Sequence, residues 1–213
     1  MTVPRKTPYV WVTWITKLLA QENHCEWAAW FQAHHQNYEI APSDFLLKQW
    51  REDHAKMVEE QAAALRADGD TVYVENENSL KLPGQNGGTL AGKPDLVAFR
   101  NSHITVIDCK TGQPWDADQQ QVLIYMRLLP FCHPHYKGQE ITGRVQYRDG
   151  AVEIGSDELD TQFKTNLRQM MDLVTGPSAP VRTPSLQECQ FCKLTQNDCP
   201  DRMEPPAIDH DVF

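Results

Sequence analysis

The sequence predicts an α/β fold with a central mixed β-sheet flanked by helices. Segments with helical periodicity occur near both ends, and strand-like apolar runs surround a further helix in the middle of the chain. The 213 residues are enough for one sizeable domain with a buried core. Contents of 40% hydrophobic and 23% charged residues are typical of a globular protein.

Amphipathic periodicity predicts the helices. The clearest is the long third helix, where Ser43 can cap the first turn, an apolar stripe follows one face and Gly69 ends the helix. Asp116 and Gln119 form a capping pair for the fourth helix, which Pro130 is expected to stop. The predicted helices span residues 9–20, 25–35, 43–67, 116–129 and 157–175.

Runs rich in β-branched and aromatic residues predict the strands. Two of them flank Asn101-Ser102, which indicates a tight turn, and the last two are joined by Asp149-Gly150. The glycine-rich stretch at 84–88 is a predicted loop. The predicted strands span residues 71–77, 88–100, 103–110, 140–147 and 150–154.

We predict that residues 1–213 form a single domain, since no internal repeat indicates further units. A helical N-terminal segment at 1–42 contains Cys25, and the core occupies residues 43–175. The C-terminal segment at 176–213 starts with a linker rich in Pro and Ser, continues with a cysteine cluster and ends in an acidic tail.

The formal net charge of −9 argues against a protein that coats nucleic acid through a broad basic surface, although it is compatible with a local basic groove. No apolar run approaches the roughly 20 residues needed to span a bilayer. The N-terminus is too polar for a secretory signal. We therefore expect a cytoplasmic protein that does not associate with membranes.

Two aspartates at the predicted hairpin carry the strongest functional signal. If Asn101-Ser102 is a two-residue loop, Asp95 and Asp108 lie directly opposite each other, whereas a three-residue loop turns one of them away. Carboxylates about 5 Å apart repel by about 3 kcal/mol at an effective dielectric constant of about 20. A cross-strand pair contributes only about 0.2–1 kcal/mol, so the arrangement favours a bound cation.

Three polar residues accompany the aspartates. Lys110 projects from the same strand face as Asp108, and Gln121 and Tyr125 share one face of the following helix. The side chain of Cys109 alternates to the other face and is expected in the core. The alternative is an ordinary ion pair between Asp95 and Lys110, with Asp108 solvated.

The segments Gly92-Lys93-Pro94-Asp95 and Asp108-Cys109-Lys110 resemble the motif of the PD-(D/E)xK nuclease superfamily, whose core is restriction-endonuclease-like. The Gln121-x-x-x-Tyr125 pattern is similar to that of its RecB-like branch. That branch also has a histidine on a preceding helix, and His54 occupies the matching place. A histidine on an apolar stripe is otherwise more often a packed side chain.

The resemblance implies a role for each residue. Asp95, Asp108, His54 and the main-chain carbonyl of Cys109 would hold Mg²⁺ or Mn²⁺, ions suited to oxygen and imidazole ligands. Lys110 would orient the attacking water and neutralise charge on the phosphate. Gln121 and Tyr125, which complete the catalytic set, would position the lysine and the nucleic-acid strand.

A cysteine cluster predicts a second metal site. Cys189-Gln-Phe-Cys192 and the nearby Cys199 supply three sulfurs, and a fourth ligand must come from elsewhere. RecB-like nucleases with an iron–sulfur cluster, such as the CRISPR-associated exonucleases and the AddB nuclease domain, pair one N-terminal cysteine with three C-terminal ones. By that resemblance Cys25 is the fourth ligand of a [4Fe-4S] cluster that fastens the two chain ends. The alternative is Zn²⁺, bound by the three cysteines with Cys25 or a histidine.

The resemblance implies a metal-dependent DNA exonuclease that acts on single-stranded DNA in repair, recombination or CRISPR adaptation. The alternative is a non-catalytic DNA-binding or assembly subunit of a nuclease–helicase complex, for which the acidic composition argues mildly. Opposed carboxylates argue against that alternative, because a domain without activity has no chemical reason to keep them. DNA and a protein of a DNA-processing complex are thus the expected partners.

Overall fold

The protein is described by a computed structural model that covers residues 2–42, 46–85 and 87–204, so the predicted cap Ser43 lies outside the described residues. Strands and helices follow one another much as the sequence predicts. The strands are β1 (Val3–Pro4), β2 (Tyr9–Trp11), β3 (His35–Gln36), β4 (Thr71–Val74), β5 (Leu80–Pro83), β6 (Thr89–Gly92), β7 (Leu96–Arg100), β8 (His103–Lys110), β9 (Glu140–Tyr147) and β10 (Gly150–Ile154). The helices are α1 (Thr16–Leu19), α2 (Glu26–His34), α3 (Leu47–Ala67), α4 (Asp116–Cys132), α5 (Thr161–Thr175) and α6 (Leu186–Cys189).

A five-stranded mixed sheet in the order β10-β9-β8-β7-β4 forms the centre of the fold. Only β8 and β9 pair in parallel within it, and α4 forms the crossover between them because parallel neighbours cannot be joined by a tight turn. A Cβ atom at Gly143 of β9 would collide with Val122 and Met126 of α4, so this glycine lets the helix lie close to the sheet. The predicted central mixed sheet is confirmed.

A second sheet replaces part of a predicted helix. The sequence pattern predicts one helix over residues 9–20, but Tyr9–Trp11 forms β2, which pairs in parallel with β6 in the order β2-β6-β5. Val10 and Val12 are fully buried in this arrangement. A short apolar run is locally compatible with a strand or a helix. Here the pairing with a strand 80 residues further along the chain selects the strand.

The strand predictions hold at 103–110, 140–147 and 150–154 and change elsewhere. The predicted strand 88–100 is two strands in different sheets, and β5 was not predicted. The predicted strand 71–77 ends at Val74, since Glu75 has a φ of 40° that no extended strand tolerates.

The helix that carries Gln121 differs from prediction at both ends. It continues through Pro130 to Cys132, and its last turn is closed by His133 N donating to Leu129 O. Proline was expected to stop the helix, but so near the end its missing N–H interrupts only one bond. At the start, the side chain of Asp118 rather than that of Gln119 accepts from the backbone, at Trp115 N.

The remaining helices follow the sequence closely. α2 and α3 lie within the predicted segments, and Gly69 ends α3 with a φ of 95°. Trp27 and Phe31 of α2 are buried beside Leu194 and Cys199, in a cluster that joins this helix to the C-terminal segment. In the part of the chain that the structure describes, no helix is long and apolar enough to cross a membrane.

Candidate active site

The β7–β8 hairpin aligns the two aspartates as predicted. Asn101 and Ser102 have φ values of 50° and 64°, which are those of a two-residue mirror-image turn. The pair of Leu96 with Ile107 is the last before the two aspartates, so continuing the register places Asp95 opposite Asp108. The two-residue loop and its register are confirmed.

Asp95 is fixed from two sides. Its Oδ2 accepts a hydrogen bond from Cys109 N at 2.7 Å and lies 3.2 Å from His54 Nε2. His54 projects from α3, and Trp50 stacks on its ring at a centroid distance of 5.2 Å. Both the carboxylate and the imidazole are therefore held in place by their surroundings.

Gln121 connects the other residues of the motif. Its Nε2 donates to Asp108 Oδ1 at 2.9 Å and to the Tyr125 hydroxyl at 3.0 Å, while its Oε1 accepts from Lys110 Nζ at 2.9 Å. The NH₂ group of Gln121 thus holds the Asp108 carboxylate, and its carbonyl oxygen holds the Lys110 ammonium. One side chain fixes the relative positions of Asp108 and Lys110.

Lys110 forms its closest ion pair with Asp108, at 2.8 Å from Oδ2, and a longer one with Asp118, at 3.6 Å. Asp118 is itself held by the Tyr147 hydroxyl at 3.0 Å. Asp108 is only 2% exposed. The alternative of an Asp95–Lys110 ion pair beside a solvated Asp108 is therefore wrong.

Burial dominates the electrostatics of this site. It raises the pKa of Asp108 to about 6, with Lys110 opposing the shift and Asp95 adding to it. Burial also disfavours the charge on Lys110, but Asp108, Asp118 and Asp95 together outweigh it and the pKa of the lysine is raised. The hydrogen bond to Asp95 raises the pKa of His54.

Asp108 Oδ2 is buried, and the Lys110 ammonium lies 2.8 Å from it. A buried carboxylate is costly unless it is paired, and the single charge of Lys110 cannot neutralise both Asp108 and the opposed, buried Asp95. The residues therefore fit a divalent ion, since the site combines two buried carboxylates with an imidazole.

Glu75 is a further carboxylate that the sequence analysis missed. Its ligand atoms, those of Asp95 and those of His54 lie within 4.8 Å of one another. Continuing the β4–β7 register beyond Val74 and Leu96 places Glu75 opposite Asp95, and Lys93 Nζ lies 3.2 Å from its Oε2. Glu75 lies inside the predicted strand 71–77, and the partner of that strand was not visible in the sequence.

Cys109 contributes its backbone N–H group, and not its thiol, to the site. Its side chain packs in the core, as predicted, and burial raises the pKa of the thiol. Its N–H holds Asp95, so the backbone between Asp108 and Lys110 also orients the opposite carboxylate.

A profile described as PD-(D/E)XK nuclease superfamily matches residues 14–196. The chain belongs to this superfamily. Among solved structures, the crystal structure of SSO0001 is similar over 94% of this chain and 90% of that one, with 16% sequence identity and a TM-score of 0.50. That likeness concerns the fold alone. No curated protein sequence matches the chain significantly.

Members of the PD-(D/E)XK superfamily are typically nucleases that use divalent metal ions, so membership implies a nucleic-acid substrate. The predicted restriction-endonuclease-like core is confirmed, since the matched region includes the whole five-stranded sheet. The buried carboxylates and Lys110 lie at the ends of adjacent strands of this sheet.

In this PD-(D/E)XK chain the four cysteines of the predicted cluster line one cavity of about 260 Å³. Cys25 precedes α2, whereas Cys189, Cys192 and Cys199 belong to the C-terminal segment. Met203 N donates to Cys189 Sγ at 3.4 Å. The fold thus brings together the cysteines that the resemblance selected.

The two chain ends also meet through polar contacts. Glu188 accepts from His24 N at 2.7 Å through Oε1 and from Cys25 N at 3.1 Å through Oε2. The Thr183 hydroxyl donates to His24 O at 3.1 Å. Cys25 is therefore held next to the C-terminal segment by hydrogen bonds of the protein itself.

Proposed function

We propose that this superfamily member is a metal-dependent exonuclease of the RecB-like type, which hydrolyses phosphodiester bonds of single-stranded DNA. The observation that carries the proposal is the environment of Asp108, a buried carboxylate that pairs with Lys110 at 2.8 Å and lies opposite the buried carboxylate of Asp95 across the hairpin. Such an arrangement is costly for the fold, and a role with a cation and an anionic substrate accounts for it.

The proposed metal ligands are His54, Asp95, Asp108 and the main-chain carbonyl of Cys109, with Glu75 added. Mg²⁺ or Mn²⁺ bound there supplies a Lewis acid for the phosphate and a more acidic water. Carboxylates suit both ions, and the imidazole favours Mn²⁺.

Lys110 is the proposed catalytic cation. Held by Asp108, Asp118 and Gln121, its ammonium can donate to the attacking water and to a phosphate oxygen without first being ordered. Tyr125 supports Gln121 and is assigned a positioning role.

The RecB-like assignment rests on the Gln121 and Tyr125 pattern together with His54. In the fold these residues surround the two aspartates, which supports reading them as one motif. Exonuclease action on single-stranded DNA, in repair, recombination or CRISPR adaptation, follows from that resemblance, as does a protein partner in a DNA-processing complex.

The cysteine site is proposed to hold a [4Fe-4S] cluster through Cys25, Cys189, Cys192 and Cys199. Within the described residues, no three of these sulfurs lie within 4.8 Å of one another. A tetrahedral zinc ion with Zn–S bonds of about 2.3 Å needs sulfurs about 3.8 Å apart. A polynuclear cluster places a separate iron behind each sulfur, so the wider spacing supports it over zinc.

The deciding experiment follows the degradation of end-labelled single-stranded DNA with Mg²⁺ or Mn²⁺. Asp108→Ala and Lys110→Ala are compared with the wild type and with Asp116→Ala, a control for an exposed aspartate outside the network. We expect metal-dependent shortening by the wild type and the control, and none by the two site variants. Equal activity in all four proteins, or none in the wild type on any strand, would favour the non-catalytic alternative.

A further inference from the structure

We propose that Lys17, Trp115 and Phe191 form a binding surface for single-stranded nucleic acid, which we call the stacking surface. Its substrate class rests on the proposed function. Lys17 Nζ lies 5.3 Å from the centroid of the Trp115 ring and 5.8 Å from that of the Phe191 ring. One ammonium therefore lies near two aromatic rings that come from distant parts of the sequence.

Both rings are strongly exposed, Trp115 to 54% and Phe191 to 74%. Single exposed apolar residues are common and do not indicate a function. Two large exposed rings around one cation, in contrast, are suited to binding a ligand that is both flat and anionic. Among the described residues no carboxylate forms an ion pair with Lys17, so its charge is available to a ligand. The fold itself gains little from keeping these three side chains exposed.

A single strand of nucleic acid matches this chemistry. Unpaired bases offer flat faces that stack on aromatic rings, and the backbone offers phosphates to an ammonium. A duplex hides its base faces and would meet only the one cation. The stacking surface therefore favours single strands, and this preference comes from residues outside the nuclease motifs.

The stacking surface lies next to the proposed active site. Trp115 follows Lys110 by five positions along the chain, a distance of at most about 18 Å. Trp115 N also donates to Asp118, the residue whose carboxylate contacts Lys110 at 3.6 Å. A strand that stacks on Trp115 can thus reach the reactive carboxylates within a few nucleotides.

Phe191 and Lys17 also line the cysteine cavity. Phe191 stands between Cys189 and Cys192, so a group bound by these cysteines would fix the loop that presents the ring. The stacking surface therefore gives the cysteine site a role in substrate binding as well as in holding the chain ends together.

The test measures the affinity for a fluorescent oligo(dT) strand by anisotropy, in an Asp108→Ala background with Mg²⁺. Trp115→Ala and Phe191→Ala should each weaken binding at least about fivefold, and Trp115→Phe should retain most of the affinity. Lys17→Gln should weaken binding and reduce the slope of log affinity against log salt by about 0.7.

Phe131→Ala is the matched control. Phe131 is also 54% exposed and lies under a cation, Arg127, at 4.7 Å, but it is about 24 Å further along α4. Its removal should leave binding unchanged. Because all of these rings are exposed, each variant should melt like its parent, so a loss of binding reports contact rather than unfolding.

The outcomes separate this proposal from the proposed function. Cleavage by the wild type together with unchanged affinity in the ring variants would overturn the stacking surface and leave the nuclease proposal standing. If the wild type cleaves nothing but the ring variants still lose binding, the stacking surface is supported and the nuclease proposal is contradicted. An equal loss for a blunt duplex of the same length would overturn the single-strand preference.

Discussion

Glu75 lies opposite Asp95 at the edge of the β4–β7 pair, and its N–H donates to the Asp95 carbonyl at 2.8 Å. Asp95 in turn lies opposite Asp108 in the next pair of strands. Three carboxylates thus occupy one row across three adjacent strands. The ligand atoms of Glu75, Asp95 and His54 lie within 4.8 Å of one another, so a cation there would relieve the repulsion between the two carboxylates.

Glu75→Gln should weaken Mn²⁺ binding by about 10- to 100-fold, the range typical of lost metal-site partners. Glutamine has the same shape as glutamate and fills the same space beside Lys93, but it lacks the negative charge. Calorimetric titration of Mn²⁺ measures the effect, with Glu59→Gln as a control on the exposed face of α3. Unchanged affinity would exclude Glu75 as a ligand and leave it as the ion-pair partner of Lys93.

Metal affinity should fall as the pH is lowered through about 6. Burial raises the pKa of Asp108 to about 6, and the hydrogen bond to Asp95 raises the pKa of His54, so protons compete with the metal for both groups. Mn²⁺ titrations between about pH 5 and pH 8 should show proton release on binding. An affinity independent of pH over this range would contradict the assignment of Asp108 as a ligand.

The raised pKa of Asp108 gives the stability of the metal-free protein a pH dependence of the opposite sign. A carboxyl group whose pKa rises on folding stabilises the native state at low pH, and that contribution is lost as the pH rises from about 4 to about 6. Asp108→Asn should therefore flatten this part of the pH dependence of the free energy of unfolding. Denaturant melts of metal-free wild type and variant measure it, and parallel curves would contradict the raised pKa.

Gln121→Ala should lower kcat by about 10- to 100-fold with a smaller change in KM. The variant removes the donor to Asp108 and the acceptor for Lys110, while the exposed stacking surface stays in place. The matched control is Gln120→Ala, one position away on the same helix. A rise in KM alone would instead indicate that Gln121 contacts the strand.

Cys25→Ser and Cys199→Ser should each abolish the brown colour and the bound iron of protein purified without oxygen, because a four-cysteine cluster loses a ligand. Cys132→Ser is the control, since Cys132 is a half-buried thiol that does not line the cysteine cavity. Iron, sulfide and zinc analyses measure the content. Stoichiometric zinc in the colourless wild type would support the zinc alternative.

The sequence predicts the hairpin geometry well because a two-residue loop fixes the register of its own strands. Glu75 escapes prediction because the chain between Val74 and Leu96 first contributes two strands to another sheet. The pairing of β2 with β6 was not predicted for the same reason, because the local sequence of a strand does not indicate which distant strand it pairs with. Cys25 was found by resemblance alone, as no spacing rule links it to cysteines more than 160 residues away.

The position of β8 in the middle of the five-stranded sheet has a dynamic consequence. A strand with neighbours on both sides opens only when a large part of the domain opens, whereas surface segments open locally at little cost. The amides of residues 104–107, which have strand neighbours on both sides and lead directly into Asp108, should therefore be among the slowest in the protein to exchange with solvent deuterium. Catalysis would then rely on a rigid row of charges, and any motion that admits the strand would belong to the segments around it.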